Sequence, residues 1–288
     1  MKIKETVNVI IPVKNCEKFV GRCIESILKQ TRRPEKILVV DDKSNDNSLN
    51  IILKYAEKYP SMITVIMGEG RGPSAARQKA LKIANGKYIA FLDADDFYHR
   101  TTIENQLKHI NKTGAVCGRM IKILPDGTYV EEKYPKNDFL ITHSKLMKQN
   151  YVLMSSIMIK KELLDLVGGF DEKIVPPSVE DYDLHLRLTK HTNYLFSKDI
   201  VIYYQTYGER NSSELFLRSK WKAIVWRKHN FIKIGEIIKI IVRAILNVLS
   251  LPINLIRKKF LKTNCALFKN KYLYILYGYI LGLFEGYR

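Results

Sequence analysis

Up to residue 100 the chain repeats one pattern: a short aliphatic run, a polar turn, then a segment with apolar residues at helical spacing. The runs are Val7–Ile11, Lys36–Asp41, Ile63–Met67 and Tyr88–Leu92, each of strand length and nearly continuous in apolar residues, as strands covered on both faces are. Between them, Glu17–Gln30 places Phe19, Val20, Cys23, Ile24, Ile27 and Leu28 on one helical face, and Asn47–Lys58 and Pro73–Ala84 are the next two helices. This alternation restricts the domain to an α/β architecture with a largely parallel sheet, because neighbouring parallel strands need a crossover between them. Ligands of such open sheets gather at the carboxyl ends of the strands, so the residues that follow each run carry the functional information.

After residue 100 the periodicity mixes. A helix is predicted near Ile103–Ile110, a strand at Val116–Leu124, a turn at Pro125-Asp126-Gly127 and a strand resuming at Thr128. Lys133–Asn150 reads as loop. A strand at Ser156–Ile159, a helix at Lys161–Leu166, the loop Gly168–Val179, a helix at Glu180–His191 and a strand at Tyr194–Tyr203 follow. No internal repeat is visible.

Charge divides the chain. Of the formal +19, residues 215–288 hold 15 Lys or Arg against 2 acidic residues, whereas residues 1–214 hold 33 against 27. With 46% hydrophobic residues the chain has a core to build, which excludes disorder as its main description. Two regions are expected, 1–214 and 215–288. The second carries an apolar helix, Ile234–Leu251, with Glu236, Lys239, Arg243, Asn247 and Ser250 as a narrow polar stripe. Pro252 stops it, the basic cluster Arg257-Lys258-Lys259 with Lys262 follows, and a last apolar run, Tyr272–Phe284, has 13 residues, short of a bilayer span. One expectation for this region is a helical subdomain packed on the first region or on a second copy as a homo-oligomer. The other is a helix lying on an anionic membrane surface through residues 234–288. Cys16, Cys23, Cys117 and Cys265 have neither metal-site nor disulfide spacing, which fits a reducing compartment. The run at Val7–Val13 is interrupted by Asn8 and Pro12 and reads as a strand, not a signal peptide.

Three carboxylate clusters follow apolar runs or open helices. Asp41-Asp42-Lys43-Ser44-Asn45-Asp46 ends a strand, where an acidic residue accepts hydrogen bonds from a base or ribose; capping of the next helix by Asp42, Ser44 or Asp46 is the plainer explanation in isolation. Asp93-Ala94-Asp95-Asp96 ends another strand, and two carboxylates about one small residue suit a divalent cation that neutralises phosphate oxygens. Glu180-Asp181-Tyr182-Asp183 opens a helix, where the dipole alone favours acids; as chemistry, one carboxylate held near a hydroxyl serves as a general base.

Together these clusters resemble the family 2 inverting glycosyltransferases of the GT-A fold, over about residues 5–213. Val9-Ile10-Ile11-Pro12-Val13-Lys14-Asn15 is similar to the family's first strand and Glu25-Ser26-Ile27-Leu28-Lys29-Gln30-Thr31 to its following helix end. Val40-Asp41-Asp42-Lys43-Ser44 resembles its nucleoside segment, Gly72 with Ala75-Ala76-Arg77-Gln78 the segment whose Arg approaches the nucleotide, and Asp93-Ala94-Asp95 the metal and diphosphate motif. Gly168-Gly169-Phe170-Asp171-Glu172 with Glu180-Asp181 resembles the acceptor-side signature. The resemblance implies a mixed α/β sheet flanked by helices, with a C-terminal helical, basic region. It also implies a nucleotide-sugar donor bound through Pro12, Asp42, Arg77, Asp93 and Asp95, with uracil at Asp42. Mn²⁺ or Mg²⁺ would be held through Asp95 with Asp93, and Asp181 would be the catalytic base. Transfer of one sugar to a glycan or lipid-linked acceptor follows, at the inner face of the cell membrane from the cytoplasm. Lys14 stands where the family usually has Tyr, Gln78 where it has Asn, and Gln205 and Tyr207 where many members have Arg and His. The Q-x-x-R-W signature of processive synthases is absent; Arg218-Ser219-Lys220-Trp221 is a partial echo.

Two other classes compete. A nucleic-acid binder would use the excess cations with Trp221, Trp226 and Phe231, but the basic residues after 234 alternate with long apolar faces that need burial, and no nucleic-acid partner is expected. A nucleotidyltransferase would need a glycine-rich basic loop after the first strand, which Ile11-Pro12-Val13-Lys14-Asn15 does not supply.

Overall fold

The computed structural model describes residues 5–131, 133–172, 179–206, 220, 223–226, 228 and 229. The chain divides into two compact units, Met1–Gly208 and Glu209–Arg288. Of the second, only Lys220, 223–226, Lys228 and His229 are described; the expected helix 234–251, the basic cluster after it and the run 272–284 lie outside the described residues, as does Tyr207. Among the described residues no helix is long and apolar enough to cross a membrane.

The first unit opens as the periodicity requires: β1 (Val7–Val13), α1 (Val20–Leu28), β2 (Lys36–Asp41), α2 (Ser48–Lys58), β3 (Ile63–Met67), α3 (Pro73–Ile83) and β4 (Tyr88–Phe91). Next come β5 (Phe97–Tyr98), α4 (Thr102–Thr113), β6 (Ala115–Ile123), β7 (Tyr129–Glu131), β8 (Phe139–Ile141) and α5 (His143–Lys148). A 3₁₀ turn at Met154–Ser156 leads to β9 (Met158–Lys160), α6 (Lys161–Leu166), α7 (Glu180–Leu188) and β10 (Tyr194–Gln205). The strands make one sheet in the order β3-β2-β1-β4-β9-β6-β10-β5, with β7 beside β6 and β8 beside β10. The expected mixed α/β sheet with flanking helices is what the first unit has.

β3, β2, β1 and β4 are parallel. All seven residues of β1 are buried, which is why its sequence reads as one apolar run. Val20, Cys23, Ile24, Ile27 and Leu28 of α1 pack beneath it with Ile52 of α2. Beyond β4 the parallel expectation gives way: β9 is antiparallel to both β4 and β6, and only β10 with β6 restores a parallel pair.

Several boundaries differ for local reasons. α1 begins at Val20, because the amides of Phe19 and Val20 both turn back to the Cys16 carbonyl. The strand expected from Ser156 begins at Met158, opposite Ala90, after the 3₁₀ turn. α7 ends at Leu188, where Thr189 turns its hydroxyl onto the His185 carbonyl. Lys133–Asn150, expected as loop, contains β8 and α5.

Candidate active site

The carboxyl ends of β1, β2 and β4 converge on the acidic clusters. Pro12 lies inside β1, in register with Val40. The Ile10 carbonyl accepts from the Leu92 amide, so Pro12, two residues on, faces the same side past the last β1–β4 pair. A proline there costs no sheet hydrogen bond.

Asp41 and Asp42 end β2, both buried. Asp41 Oδ2 accepts from the Ser44 amide at 3.2 Å, while its Oδ1 is buried without a hydrogen-bond partner. Asp42 does not cap the next helix. Its two oxygens accept the amides of Gly70 and Gly72 at 2.7 and 2.8 Å. Those glycines have φ of +77° and +92°, a region open to glycine at little cost, and this turns both amides onto one carboxylate. The loop after β3 is thereby tied to the end of β2.

Asp93, Asp95 and Asp96 follow β4. The Ser155 hydroxyl accepts from the Asp93 amide at 3.1 Å and donates to Asp96 Oδ2. Asp96 Oδ1 accepts from the Gln205 amide at 3.0 Å, which joins the end of β10 to this loop. Burial, with Asp95 and Asp93 nearby, pushes the Asp96 carboxyl well above the usual carboxylate range. Arg22 donates to the Asp95 carbonyl at 3.3 Å and to Gln205 Oε1 at 3.2 Å.

Arg77, on α3, is buried and forks between two elements: Nη2 meets Asp93 Oδ1 at 2.6 Å and Nη1 meets Glu180 Oε1 at 3.0 Å. The sequence pointed to an Arg that approaches the nucleotide; the structure turns its guanidinium inward, 4% exposed, to tie the β4 loop to α7. Beside it, the Gln78 side chain donates to the Gly168 carbonyl and accepts from the Phe170 amide, fastening the Gly168-Gly169-Phe170 turn. Asp181 is half-buried in the first turn of α7. Burial, then the neighbouring Glu180 charge, raise its carboxyl to about 7, and Arg77 only partly opposes them. The helix dipole is outweighed here.

Among the described residues no three His, Cys, Asp or Glu side chains are grouped to hold a metal by themselves. The donor chemistry at the end of β4 still fits a hard cation. Burial, with Asp95 and Asp93 crowded beside it, raises Asp96, and positive charge added among these carboxylates would be favourable. Mg²⁺ in particular is held by one or two carboxylates, substrate phosphates and water rather than by an all-protein cage.

Residues 8–167 match the family model described as Glycosyl transferase family 2. The chain belongs to that family. It is 32% identical over 235 residues to the UDP-Glc:alpha-D-GlcNAc-diphosphoundecaprenol beta-1,3-glucosyltransferase WfaP of Escherichia coli, covering 80% of this chain and 86% of that one. It is 33% identical over 170 residues to the poly(ribitol-phosphate) beta-glucosyltransferase of Bacillus spizizenii, covering 52% of this chain but spanning only 26% of that protein. The structure of S. aureus TarS 1-349 in complex with UDP-GlcNAc superposes with a TM-score of 0.61 at 22% identity, covering 76% of this chain and 66% of that one. That likeness establishes the shared GT-A architecture of the first unit.

Of the residues singled out in the sequence, the structure brings Arg77, Asp93 and Glu180 into one network with Asp181 next to Glu180 in the chain, and seats Pro12 and Asp42 at the neighbouring strand ends. Asp95, in the same loop as Asp93, is tied through its carbonyl to Arg22 of α1. Sequence reasoning missed Ser155. A serine in a short polar turn carries no signal that its hydroxyl serves a loop 59 residues earlier.

Proposed function

We propose that this chain transfers one sugar from a nucleoside diphosphate sugar, UDP-linked, to a hydroxyl of a glycan or lipid-linked acceptor, with inversion. The observation that carries it is the Asp93–Arg77–Glu180 bridge with Asp181 adjacent: one guanidinium sets the diphosphate-motif loop and the proposed base in fixed relation. A carboxyl raised to about 7 is matched to taking a proton near neutral pH.

The residues divide the work. Asp42 shapes the nucleoside pocket by holding Gly70 and Gly72, and each of its oxygens keeps a lone pair for a uracil N–H. Pro12 forms the pocket floor at the end of β1, and the unpartnered Asp41 Oδ1 is a further acceptor there. Asp181 takes the proton of the acceptor hydroxyl. That oxygen bonds to the anomeric carbon from the face opposite the leaving group, and the bond from that carbon to the diphosphate oxygen breaks as UDP departs. Arg77 acts as a positioning residue. Asp95, with Asp93, would hold Mn²⁺ or Mg²⁺, which when bound supplies positive charge to the diphosphate. The names of the relatives support this donor and acceptor class: a UDP-Glc enzyme with a diphosphoundecaprenol-linked acceptor, and a poly(ribitol-phosphate) enzyme.

For residues 215–288, net charge and apolar patterning support peripheral attachment to the inner face of the cell membrane, as a region separate from 1–214. Flotation with anionic liposomes should be lost on truncation near residue 214; unchanged flotation contradicts it.

Asp181→Asn tests the proposal. Turnover should fall by about 10²–10⁴, the usual worth of a general base, with UDP affinity unchanged. Wild-type turnover in the Asn variant removes Asp181 as base, and absence of transfer or hydrolysis from any nucleotide sugar with Mn²⁺ or Mg²⁺ overturns the function itself.

A further inference from the structure

Alongside α1 and β5 lies an open cleft of about 680 Å³ lined by Arg22, Lys29, Arg33 and Arg100, with Glu25 and Phe97. Its arginines are not balanced as the described arginines elsewhere are. Among the described residues, Arg32, Arg71, Arg77, Arg119 and Arg187 each reach a carboxylate. The other three described arginines, Arg22, Arg33 and Arg100, have none within ion-pairing distance, and all three line this cleft. Lys29 answers Glu25 at 2.7 Å, so the cleft's one acid is already neutralised. Arg22 lies with its guanidinium centre 4.3 Å over the Phe97 ring, which fixes its plane and leaves an edge free.

Position and length narrow the ligand. Arg22 donates to the Asp95 carbonyl, so one end of the cleft touches the loop of the proposed reaction centre. From there the cleft runs down α1; the helical rise puts about 10 Å between Arg22 and Lys29, with Arg33 farther on. A single phosphate would not reach both ends. Exposed, unpaired guanidinium groups suit phosphoryl oxygens, which they grip with paired hydrogen bonds.

We propose that this cleft receives the anionic part of the acceptor, a segment carrying two or more phosphoryl groups. This rests on the transferase assignment above, which places the donor diphosphate at Asp93 and Asp95 and leaves this cleft to the other substrate.

The test uses the full chain saturated with UDP, which blocks the donor site, and a short glycerol phosphate oligomer as the probe. Calorimetric titration should show binding in the wild type. In the Arg33→Ala/Arg100→Ala pair affinity should fall by about tenfold or more, as expected for lost charge-assisted hydrogen bonds, with UDP affinity and UDP-sugar hydrolysis unchanged. The Arg33→Lys/Arg100→Lys pair, which keeps the charge without the fork, should lie between; if the Ala pair also loses UDP affinity through misfolding, wild-type affinity in the Lys pair overturns the proposal. So does absence of binding in the UDP-saturated wild type, or equal binding in a folded Ala pair. A third arm uses phosphatidylcholine vesicles with and without phosphatidylglycerol: loss of vesicle binding in the Ala pair, with no oligomer binding in the wild type, reassigns the cleft to lipid headgroups and overturns the acceptor assignment. Oligomer binding without turnover of any nucleotide sugar would instead count against the transferase assignment alone.

Discussion

In the parallel half of the sheet, Asp42 is held by backbone amides 28 and 30 residues ahead of it. Where the parallel half meets the mixed half, Glu180 is held by the Arg77 side chain 103 residues away, and Asp96, after β4, shares its hold between the Ser155 hydroxyl and the Gln205 amide 109 residues away. The difference is one of vulnerability. A carboxylate fixed by amides keeps its partners through most substitutions of its neighbours, whereas one fixed by a side chain fails with that side chain. The nucleoside end of the donor site is therefore expected to tolerate change, and the diphosphate loop with the acceptor side to depend on a few residues.

The sharpest way to break this comparison is Arg77→Met. It removes the buried guanidinium that Glu180 and Asp93 share, which should cost about 3–5 kcal/mol in urea unfolding and abolish transfer. Asp42→Ala should cost less, about 1.5–3 kcal/mol for the lost charged acceptor, and should weaken UDP binding in calorimetry without moving α7. Ser155→Ala leaves the Asp93 amide and Asp96 with one partner fewer; about 1–2 kcal/mol and a lower kcat at unchanged UDP affinity are expected. Lys108→Ala, which breaks an exposed i,i+4 pair with Glu104 far from either cluster, should move the thermal midpoint by no more than about 0.5 kcal/mol of stability allows. Equal costs for Arg77→Met and Asp42→Ala would erase the distinction between the halves.

The same contrast explains what was legible in the sequence. β1, β2 and β4 are buried on both faces and announce themselves as apolar runs, and α1 repeats its buried positions at helical spacing. β5 has two residues, and β7 and β8 three each; Tyr129, Val130 and Leu140 within them are exposed. No period can be read from such pieces: β7 is legible only through the Pro125-Asp126-Gly127 turn that folds it back on β6, and β5 and β8 pair with β10, far off in the chain. The candidate site divides likewise. Asp42, Asp93, Asp95 and Asp181 follow apolar runs or open a helix and can be found by position. The inward turn of Arg77, the clamp of Gln78 on Gly168 and Phe170, and the Ser155 link exist only once distant segments meet.

The raised carboxyl of Asp181 adds a stability signature. Its folded value of about 7 lies above the unfolded one, so the bound proton stabilises the fold fully below the unfolded value, and that contribution is lost as pH rises to about 7. Asp181→Asn should flatten this decline in melts followed from pH 5 to 8.

The most direct measurement is the pH dependence of kcat/KM for sugar transfer in the wild type and in Glu180→Gln. The wild type should show an acid limb governed by a group near 7, active when deprotonated. Glu180→Gln keeps a side chain that can bond Arg77 but removes the like charge beside Asp181, so the limb should move to lower pH. A profile flat between pH 5 and 8, or a limb that stays in place when Glu180 loses its charge, would contradict Asp181 as the base.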